Sequence, residues 1–300
     1  MAKNIASQGT LRQASTVILA RECHSEFQVY LLRRSLNSGF MSGIYVFPGG
    51  NLSREDHDPK LFEACSRINS KAVSRFTGNE LPFEKIFPFA VAAIRETFEE
   101  AGVLISLPGD NTDVDLTESH RRRINDDLEE GWFNDLVISR GMIPELISLA
   151  RWSHWITPEL MPMRFDTRFF ITIMPDGQEC MPDYIETIDG IWVTPEEGLM
   201  RNFNREISLS PPALITLHEL LNYSTLDGLE KAIEIRQWGD PLFPRMIPSP
   251  DGALILEPWD PMRYLETDIE TKGLESRILP VGQPFSRIWN CKGVWLPVGI

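Results

Sequence analysis

One segment, rich in both apolar and acidic residues, constrains the fold more than any other part of the chain. It runs from Phe89 to Val103 and reads FAVAAIRETFEEAGV. At about 100° per residue, a helix over this segment gathers large apolar residues on one side and acids on the opposite side. We therefore predict a two-faced helix that ends at Gly102, with an inward face of Val91, Ile94, Phe98 and Ala101 and an outward face of Glu96, Glu99 and Glu100.

The three glutamates of this helix lie at spacings where side chains meet on one helix surface. Carboxylates three or four positions apart repel one another by roughly 0.2–0.5 kcal/mol per exposed pair. A bound divalent cation would relieve this repulsion, and hard oxygen ligands suit Mg²⁺ or Mn²⁺. A solvated acidic face without chemistry is the alternative for an isolated pattern of this kind. The context of the helix has to decide between the two interpretations.

A short apolar strand with an abrupt end lies upstream of the helix. It reads GIYVFPGG and occupies residues 43–50. Proline and paired glycines stop a strand, and glycine lets the backbone approach a ligand closely. The carbonyl group of Gly50 is therefore available to a metal ion near the glutamates.

The helix and the glycine turn together resemble the signature of the Nudix hydrolase superfamily. That signature has a glycine, five residues, a glutamate, seven residues, Arg-Glu, two residues, Glu-Glu, one residue, a glycine and an aliphatic residue. Residues 95–103, RETFEEAGV, match its second half. The resemblance implies a pyrophosphate hydrolase that uses Mg²⁺ or Mn²⁺, in which Arg95 holds a glutamate in place. The metal ligands that it implies are Glu96, Glu99, Glu100 and the carbonyl of Gly50.

The first half of the signature is interrupted in this chain. Gly50 and Arg95 are 45 positions apart, where the unbroken signature has 14, so about 31 residues are inserted. We place the insertion at about residues 51–88, with a possible helix over 61–76, and it can form a lid, a specificity loop or an interface. In the position of the glutamate, after five intervening residues, stands Asp56. The alternatives for the missing glutamate are Asp56, Glu55, Glu84 or no replacement at all.

Residues before the glycine turn resemble the branch of the superfamily that acts on coenzyme A. Its pattern has Arg-Ser, a second arginine, a glycine and Phe-Pro-Gly-Gly. This chain supplies Arg34 and Ser35, Gly43 and residues 47–50, with Gly39 in place of the second arginine. The branch implies cleavage of coenzyme A or acyl-coenzyme A into 3',5'-ADP and a 4'-phosphopantetheine. The alternatives are an NAD-type or nucleotide-sugar pyrophosphate as substrate, or a Nudix module that binds without hydrolysis.

The resemblance also suggests catalytic and substrate-binding roles for residues on the helix and outside it. Glu96, Glu100, Arg95 and the loop acid Glu186 are the candidate catalytic residues, and Asp189 is a further candidate for the general base. The candidate substrate contacts are Arg34, Gly49, Arg164 and Arg168, because guanidinium groups bind phosphates in pairs of hydrogen bonds. We expect His154 to be structural, and the aromatic residues Trp152, Trp155 and Phe169 to lie in the core.

The resemblance implies an α+β protein built as an α/β/α sandwich, with a mixed β-sheet between helices, and the apolar segments supply candidate strands and helices for it. A hairpin over residues 15–32 opens a mixed β-sheet, and strands return at 147–157, 165–174 and 188–194. Residues 10–205 form the expected Nudix domain. Residues 206–300 form a C-terminal region that packs on this domain. It has two helices, at 211–221 and 226–235, short strand candidates at 253–256 and 293–296, and otherwise irregular or extended chain.

Charge and hydropathy exclude several kinds of partner. The net charge of −14 would repel a nucleic-acid backbone, so nucleic acid is not an expected partner, and the resemblance implies a small nucleotide instead. No apolar run reaches the 18 residues of a membrane-spanning helix, and the first residues have no apolar leader, so we expect a cytoplasmic protein without membrane contact. A homodimer is possible.

Overall fold

The computed structural model describes most of the 300-residue chain. The described residues are 11–39, 41–65, 77, 81–107, 116–125, 127–140, 143–249, 252–265 and 269–300. They form thirteen strands: β1 Leu11–Cys23, β2 Glu26–Arg34, β3 Tyr45–Val46, β4 Gly49–Asn51, β5 Ser106–Leu107, β6 Ile143–Pro144, β7 Ala150–Ile156, β8 Arg164–Ile173, β9 Thr187–Val193, β10 Arg245–Ser249, β11 Gly252–Leu256, β12 Arg287–Cys291 and β13 Val294–Val298. The α-helices are α1 Pro59–Cys65, α2 Phe83–Ala101, α3 Thr117–Ile124, α4 Trp132–Arg140, α5 Pro195–Phe203, α6 Pro211–Leu220 and α7 Leu226–Ile235.

The predicted hairpin is confirmed, and its strands are longer than the sequence suggested. β1 and β2 pair in antiparallel register up to Cys23 and Glu26. The turn is therefore only His24 and Ser25, which both adopt positive φ angles of 49° and 71°. Two consecutive residues in this conformation match the right-handed twist of the strands, so the hairpin needs no longer loop.

A mixed seven-stranded sheet forms the centre of the molecule. β1 lies between β2 and β8, antiparallel to the first and parallel to the second, and β7 completes that side. The short β4 pairs with β1, while β3 and β9 pair with β2. Successive residues of β1 point to opposite faces, so Val17 and Leu19 enter one core and Ile18 and Ala20 enter another.

Helices cover both faces of this sheet. α2 packs on the first face together with α1 and α4, and the hydroxyl of Ser15 in β1 donates to the carbonyl of Phe89 in α2 at 2.7 Å. The other face is covered by apolar residues of α5, α6 and α7. The predicted α/β/α sandwich with a mixed sheet is confirmed.

The glutamate-bearing helix begins six residues earlier than predicted. α2 starts at Phe83 and continues through Pro88, where the sequence placed the end of the insertion. Proline removes a backbone donor and disfavours the middle of a helix. Here Ile86 and Phe87 are buried in the core beside Leu61, and this packing outweighs the local preference. The C-terminal end is as predicted, because Gly102 caps the helix in the left-handed conformation.

The alternative of a solvated acidic face does not apply to this helix, because its outward face is largely enclosed. Arg95 is 7% exposed and Glu100 is 4% exposed, and Ala92 and Ala93 on the same side are fully buried. The helix is enclosed because β4, the chain from residue 53 to 65, and α4 cover the side that the sheet leaves open. Periodicity identified the inward residues, but it did not reveal this second layer of contacts.

The C-terminal region is more regular than predicted. Strands β10 to β13 form a four-stranded antiparallel sheet, of which the sequence suggested only β11 and β13. The region packs on α5, where the side-chain amide of Asn202 donates to the carbonyl of Trp295 at 2.9 Å. The domain boundary near residue 205 stays a prediction.

No helix of the described ranges has the length and apolar character needed to cross a bilayer. The cytoplasmic location and the possible homodimer stay predictions. Part of the possible helix at 61–76, namely residues 66–76, lies outside the described residues.

Candidate functional site

The glycine turn comes within bonding distance of the glutamate helix. The amide of Gly49 donates to a carboxylate oxygen of Glu100 at 2.8 Å. A Cβ atom on Gly50 would lie 2.4 Å from a carboxylate oxygen of Glu96, and one on Gly49 would lie 2.2 Å from the carbonyl oxygen of Ser15. Only glycine allows this approach, because any side chain would displace the carboxylate or the neighbouring strand.

Arg95 ties three acids together at the centre of the site. Its Nε and Nη2 donate to the two carboxylate oxygens of Asp56 at 2.9 and 3.0 Å. Its Nη1 donates to Glu96 at 2.9 Å and to Glu99 at 2.7 Å. Nη2 also bonds the carbonyl of Asn51 in β4 at 3.0 Å. The guanidinium thus fixes Asp56, Glu96 and Glu99 relative to the glycine turn.

Asp56 is the acid that pairs with Arg95, among the three proposed to replace the missing glutamate. It is fully buried and also accepts a bond from the amide of Ser53 at 2.7 Å. Glu84 lies exposed in the first turn of α2. Burial raises the pKa of Glu55, which accepts a backbone hydrogen bond from Gly131. The position of the missing glutamate is therefore occupied by Asp56, which forms a buried ion pair with Arg95.

Glu99 has a second donor from outside the signature. The indole Nε1 of Trp132, at the start of α4, donates to Glu99 Oε1 at 2.7 Å, while Arg95 bonds Oε2. Arg123 of α3 donates to the backbone carbonyl of Glu99 at 3.3 Å. Sequence patterns assign no role to the segment that supplies Trp132 and Arg123. Its signal was weak, because a tryptophan after Glu-Glu-Gly has no periodic partner in the sequence.

Burial controls the protonation of the glutamates. Burial raises the pKa of Glu96 to about 8, although the charge of Arg95 opposes this shift. Burial also raises the pKa of Glu99, against the opposing effects of Arg95 and of the Trp132 hydrogen bond. The pKa of Glu100 lies well above its ordinary value because of burial and then the charge of Glu96. Burial disfavours the charged form of these acids. A cation bound beside them would favour that form, so the ionised acids and the cation would stabilise each other.

Two predicted residues from other elements lie close to this group. The charge of Arg34 in β2 lowers the pKa of Glu100, and the charge of Glu186 raises it. Glu186 is exposed, and its backbone carbonyl bonds the amide of Ser35 at 2.8 Å. Asp189 accepts a bond from the hydroxyl of Tyr45 at 2.6 Å. The β2–β9 edge of the sheet therefore brings Arg34, Glu186 and Asp189 towards the end of α2.

The other two predicted arginines lie in β8 with different neighbours. Arg164 donates to the carbonyl of Thr157 at 3.2 Å and lies 5.7 Å from the ring centre of Phe243. Arg168 pairs in register with Ser15, and its guanidinium lies 5.8 Å from the ring of Phe89. Phe89 precedes Glu96 by about two helical turns, roughly 10 Å along the helix axis. Arg168 is thus beside α2 but away from the glutamates.

The remaining residues that the sequence placed in the core are there. Trp152, Trp155 and Phe169 are buried on the face opposite α2. His154 is buried and hydrogen-bonded to Asp166 at 2.5 Å, as expected for a structural histidine.

The donor set fits a divalent cation in its chemistry. Three acids, Asp56, Glu96 and Glu99, share a single arginine, Arg95, and a fourth, Glu100, accepts a bond from the Gly49 amide. Carboxylate oxygens are the ligands that Mg²⁺ and Mn²⁺ prefer. In the described parts of the chain, three acid, histidine or cysteine side chains nowhere converge on one point. The reason at this site is that Arg95 bridges Glu96 and Glu99, while Glu100 turns to the Gly49 amide.

Most of the chain matches a known protein family. The family model of the NUDT19 Nudix domain matches residues 11–220. The chain belongs to this Nudix family. Its first half of the signature is interrupted by the insertion, and the family match extends across the interruption. The predicted resemblance to the Nudix superfamily is therefore confirmed.

Named relatives agree with this membership. The acyl-coenzyme A diphosphatase NUDT19 of Xenopus laevis is 30% identical over 241 residues, which cover 70% of this chain and 63% of the frog protein. The chain thus spans less than two thirds of that relative. The chicken protein of the same name is 30% identical and is covered to 88%, and the alignment includes 92% of this chain.

A solved structure shows the same fold. A NUDIX hydrolase from Alicyclobacillus acidocaldarius superposes with a TM-score of 0.64 at 25% identity. The superposition covers 78% of this chain and all of that protein. The Nudix fold therefore includes much of the chain beyond the glutamate helix.

Proposed function

We propose that this Nudix protein hydrolyses the pyrophosphate bond of coenzyme A or acyl-coenzyme A. The observation that carries the proposal is the close approach of the Gly49-Gly50 turn to the carboxylates of Glu96 and Glu100. The approach assembles carboxylates and a backbone turn beside Arg34, whose fork-shaped cation suits a phosphate. The products would be 3',5'-ADP and a 4'-phosphopantetheine.

The coenzyme A assignment is supported by the names of the relatives. The frog and chicken proteins are called acyl-coenzyme A diphosphatases. In this chain, Gly39 stands where the coenzyme A pattern has its second arginine. Arg34 is then the arginine that we assign to the diphosphate, and Arg168 beside Phe89 is assigned to a more distant part of the substrate.

We assign the divalent cation, Mg²⁺ or Mn²⁺, to Glu96, Glu99, Glu100 and the Gly50 carbonyl. When bound, such an ion neutralises charge on the diphosphate and lowers the pKa of a bound water. Arg95 keeps Glu96 and Glu99 in place through its bonds to both of them and to Asp56.

The reaction is the attack of water on a phosphorus atom of the diphosphate, with loss of a proton from that water. Glu186 is the acid that we assign to receive the proton, because it is exposed and its charge reaches Glu100. Glu100 and Glu96 are the alternatives, and both are less accessible to a substrate water. The bond that breaks joins the attacked phosphorus to the bridging oxygen, which leaves with the other phosphate, so each product keeps one of the two phosphate groups.

Turnover of a substrate panel tests the proposal. The panel contains coenzyme A, acetyl- and a longer acyl-coenzyme A, NADH, ADP-ribose and a nucleotide sugar, each with Mg²⁺, Mn²⁺ or chelator. We expect cation-dependent release of 3',5'-ADP from the coenzyme A compounds, measured by chromatography. Activity only on another member of the panel would show that this compound, and not coenzyme A, is the substrate. Folded protein that is inactive on the whole panel would favour a binding module.

A matched pair of variants assigns the activity to the site. Glu100→Gln removes a carboxylate that we place on the cation, and we expect kcat to fall by at least about 100-fold. Glu118→Gln alters an exposed acid of α3 that pairs with Arg121. We expect full activity from that control. Equal activity of both variants would exclude the assigned ligand set.

A further inference from the structure

We propose that Trp132 is a positioning residue for the metal ligand Glu99, and that the insertion in the Nudix signature holds Trp132 in place. This inference rests on the proposed function, because it treats Glu99 as a ligand of the cation. It assigns a role to the insertion, for which the sequence left a lid, a specificity loop and an interface open.

The hydrogen bond from Trp132 fixes the rotation of the Glu99 carboxylate. Oε1 accepts the indole N–H at 2.7 Å, and Oε2 accepts Arg95 Nη1 at 2.7 Å. With one donor on each oxygen, the plane of the carboxylate is set, and each oxygen keeps a lone pair for a cation. The Glu99 side chain is 27% exposed, so without Trp132 one of its oxygens would turn towards water.

The direction of the indole N–H is set by aromatic packing. The Trp132 ring lies 5.1 Å from the ring of Phe98, which is one residue before Glu99 in α2. It also meets the ring of Phe133 edge-on at 5.5 Å, and Phe133 is 1% exposed. Rings packed from two sides hold one orientation, so the donor is aligned before any ligand binds.

The insertion holds the helix that carries Trp132. The side-chain amide of Asn134 in α4 donates to the carbonyl of Glu55 at 3.1 Å and to the carboxylate of Asp58 at 3.2 Å. α1 packs on α4, with Leu61 in the same buried core as Phe133. Residues 55–65 belong to the insertion. The start of the insertion therefore contacts Arg95 through Asp56 and Glu99 through α4 and Trp132.

Binding of Mn²⁺, followed by the electron paramagnetic resonance signal of the free ion, tests the role without substrate. Trp132→Phe keeps an aromatic ring and removes the donor, and we expect Mn²⁺ to bind about 10-fold more weakly. The matched control is Trp259→Phe, because the Trp259 indole donates to the carbonyl of Phe285 at 2.8 Å, outside the site. The control should bind Mn²⁺ as the unchanged protein does.

A double-mutant cycle separates positioning from a general structural effect. If Trp132 acts through Glu99, then Trp132→Phe should change the Mn²⁺ affinity of the Glu99→Gln variant less than twofold. An equal loss in both backgrounds would overturn the proposal, and so would unchanged affinity of Trp132→Phe alone. Failure of the unchanged protein to bind Mn²⁺, or of Glu99→Gln to weaken binding, would instead contradict the proposed function.

Circular dichroism establishes that each variant is folded. If Trp132→Phe does not fold, incorporation of benzothienylalanine at position 132 replaces the indole N–H by sulfur and keeps the ring shape. The same 10-fold weakening is then expected from the analogue, and unchanged Mn²⁺ affinity would overturn the proposal.

Discussion

Two buried groups of acids in this protein differ in how their charge is balanced. On α2, Arg95 is shared by Asp56, Glu96 and Glu99. After strand β11 in the C-terminal sheet, Asp260 has its own arginine, and Nε of Arg287 donates to it at 2.8 Å. Asp260 also accepts bonds from Ser286 and from the amide of Met262. The first group has more acids than arginines, and the Asp260 pair is neutral.

The same C-terminal turn contains a contrasting acid. Glu257 is 0% exposed, and among the described residues neither of its carboxylate oxygens has a hydrogen-bond partner. Burial raises the pKa of Glu257 to about 8, against the opposing charge of Arg263. A proton neutralises this group where an arginine neutralises Asp260. Unbalanced acids that remain partly open to solvent, such as Glu99, can accept a cation instead, and this distinguishes the site from the C-terminal turn.

The largest expected effect comes from removing Asp260, which has Arg287 to itself, and it is compared with the removal of Asp56, which shares Arg95. Asp260→Ala removes the carboxylate from Arg287, which is 3% exposed, and should lower the free energy of unfolding by about 3–5 kcal/mol. Asp56→Ala leaves Glu96 and Glu99 on Arg95, so the loss should be closer to about 2 kcal/mol. Urea unfolding measures both values. A larger loss for Asp56→Ala would mean that Arg95 is not shared as the structure indicates.

An intermediate effect comes from the unpaired acid. Glu257 ionises near pH 8 in the folded protein and near its ordinary value of 4.5 in the unfolded chain. Between these pH values the folded state holds a proton that the unfolded state has lost. The contribution of Glu257 to stability is therefore complete below about pH 4.5, falls as the pH rises, and levels off above about pH 8.

Replacement of this acid should remove that pH dependence. At pH 8 we expect Glu257→Gln to be more stable than the unchanged protein by on the order of 2 kcal/mol, because no charge is then buried. At pH 4.5 the difference should nearly vanish. Urea unfolding at pH 4.5, 6 and 8 measures it, with the exposed Glu234→Gln of α7 as control. A pH-independent difference would show that Glu257 does not titrate in this range.

The smallest expected effect on stability concerns the glycine turn. Gly50→Ala places a Cβ atom 2.4 Å from the Glu96 carboxylate, which can move because it is the end of a flexible side chain. We expect a stability loss below about 1 kcal/mol, but a fall in kcat of about 10-fold as Glu96 is displaced. Gly39→Ala is the control, since no atom of the described chain, its two neighbours aside, lies within 4 Å of its added Cβ. Equal kcat for both variants would show that the position of Glu96 is not critical.

Local patterns in the sequence predicted much of the fold. The opening hairpin, α2 with its glycine cap, and the helices α6 and α7 were recognised from local sequence patterns. Such signals act within a few residues along the chain, so one sequence contains them completely. The strands β10 and β12 were missed, because Pro-rich segments without clear alternation carry no such signal.

The sequence by itself determined which acids stand on α2 and that a glycine turn precedes them. Only the tertiary structure decided how those acids are held. Arg95 meets Asp56 across 39 positions of the chain, and Glu99 meets Trp132 across 33. These bonds exist because the insertion and α4 fold over α2 and exclude water from one side of it. Hydrogen bonds between distant residues depend on that packing, and no short-range pattern encodes it.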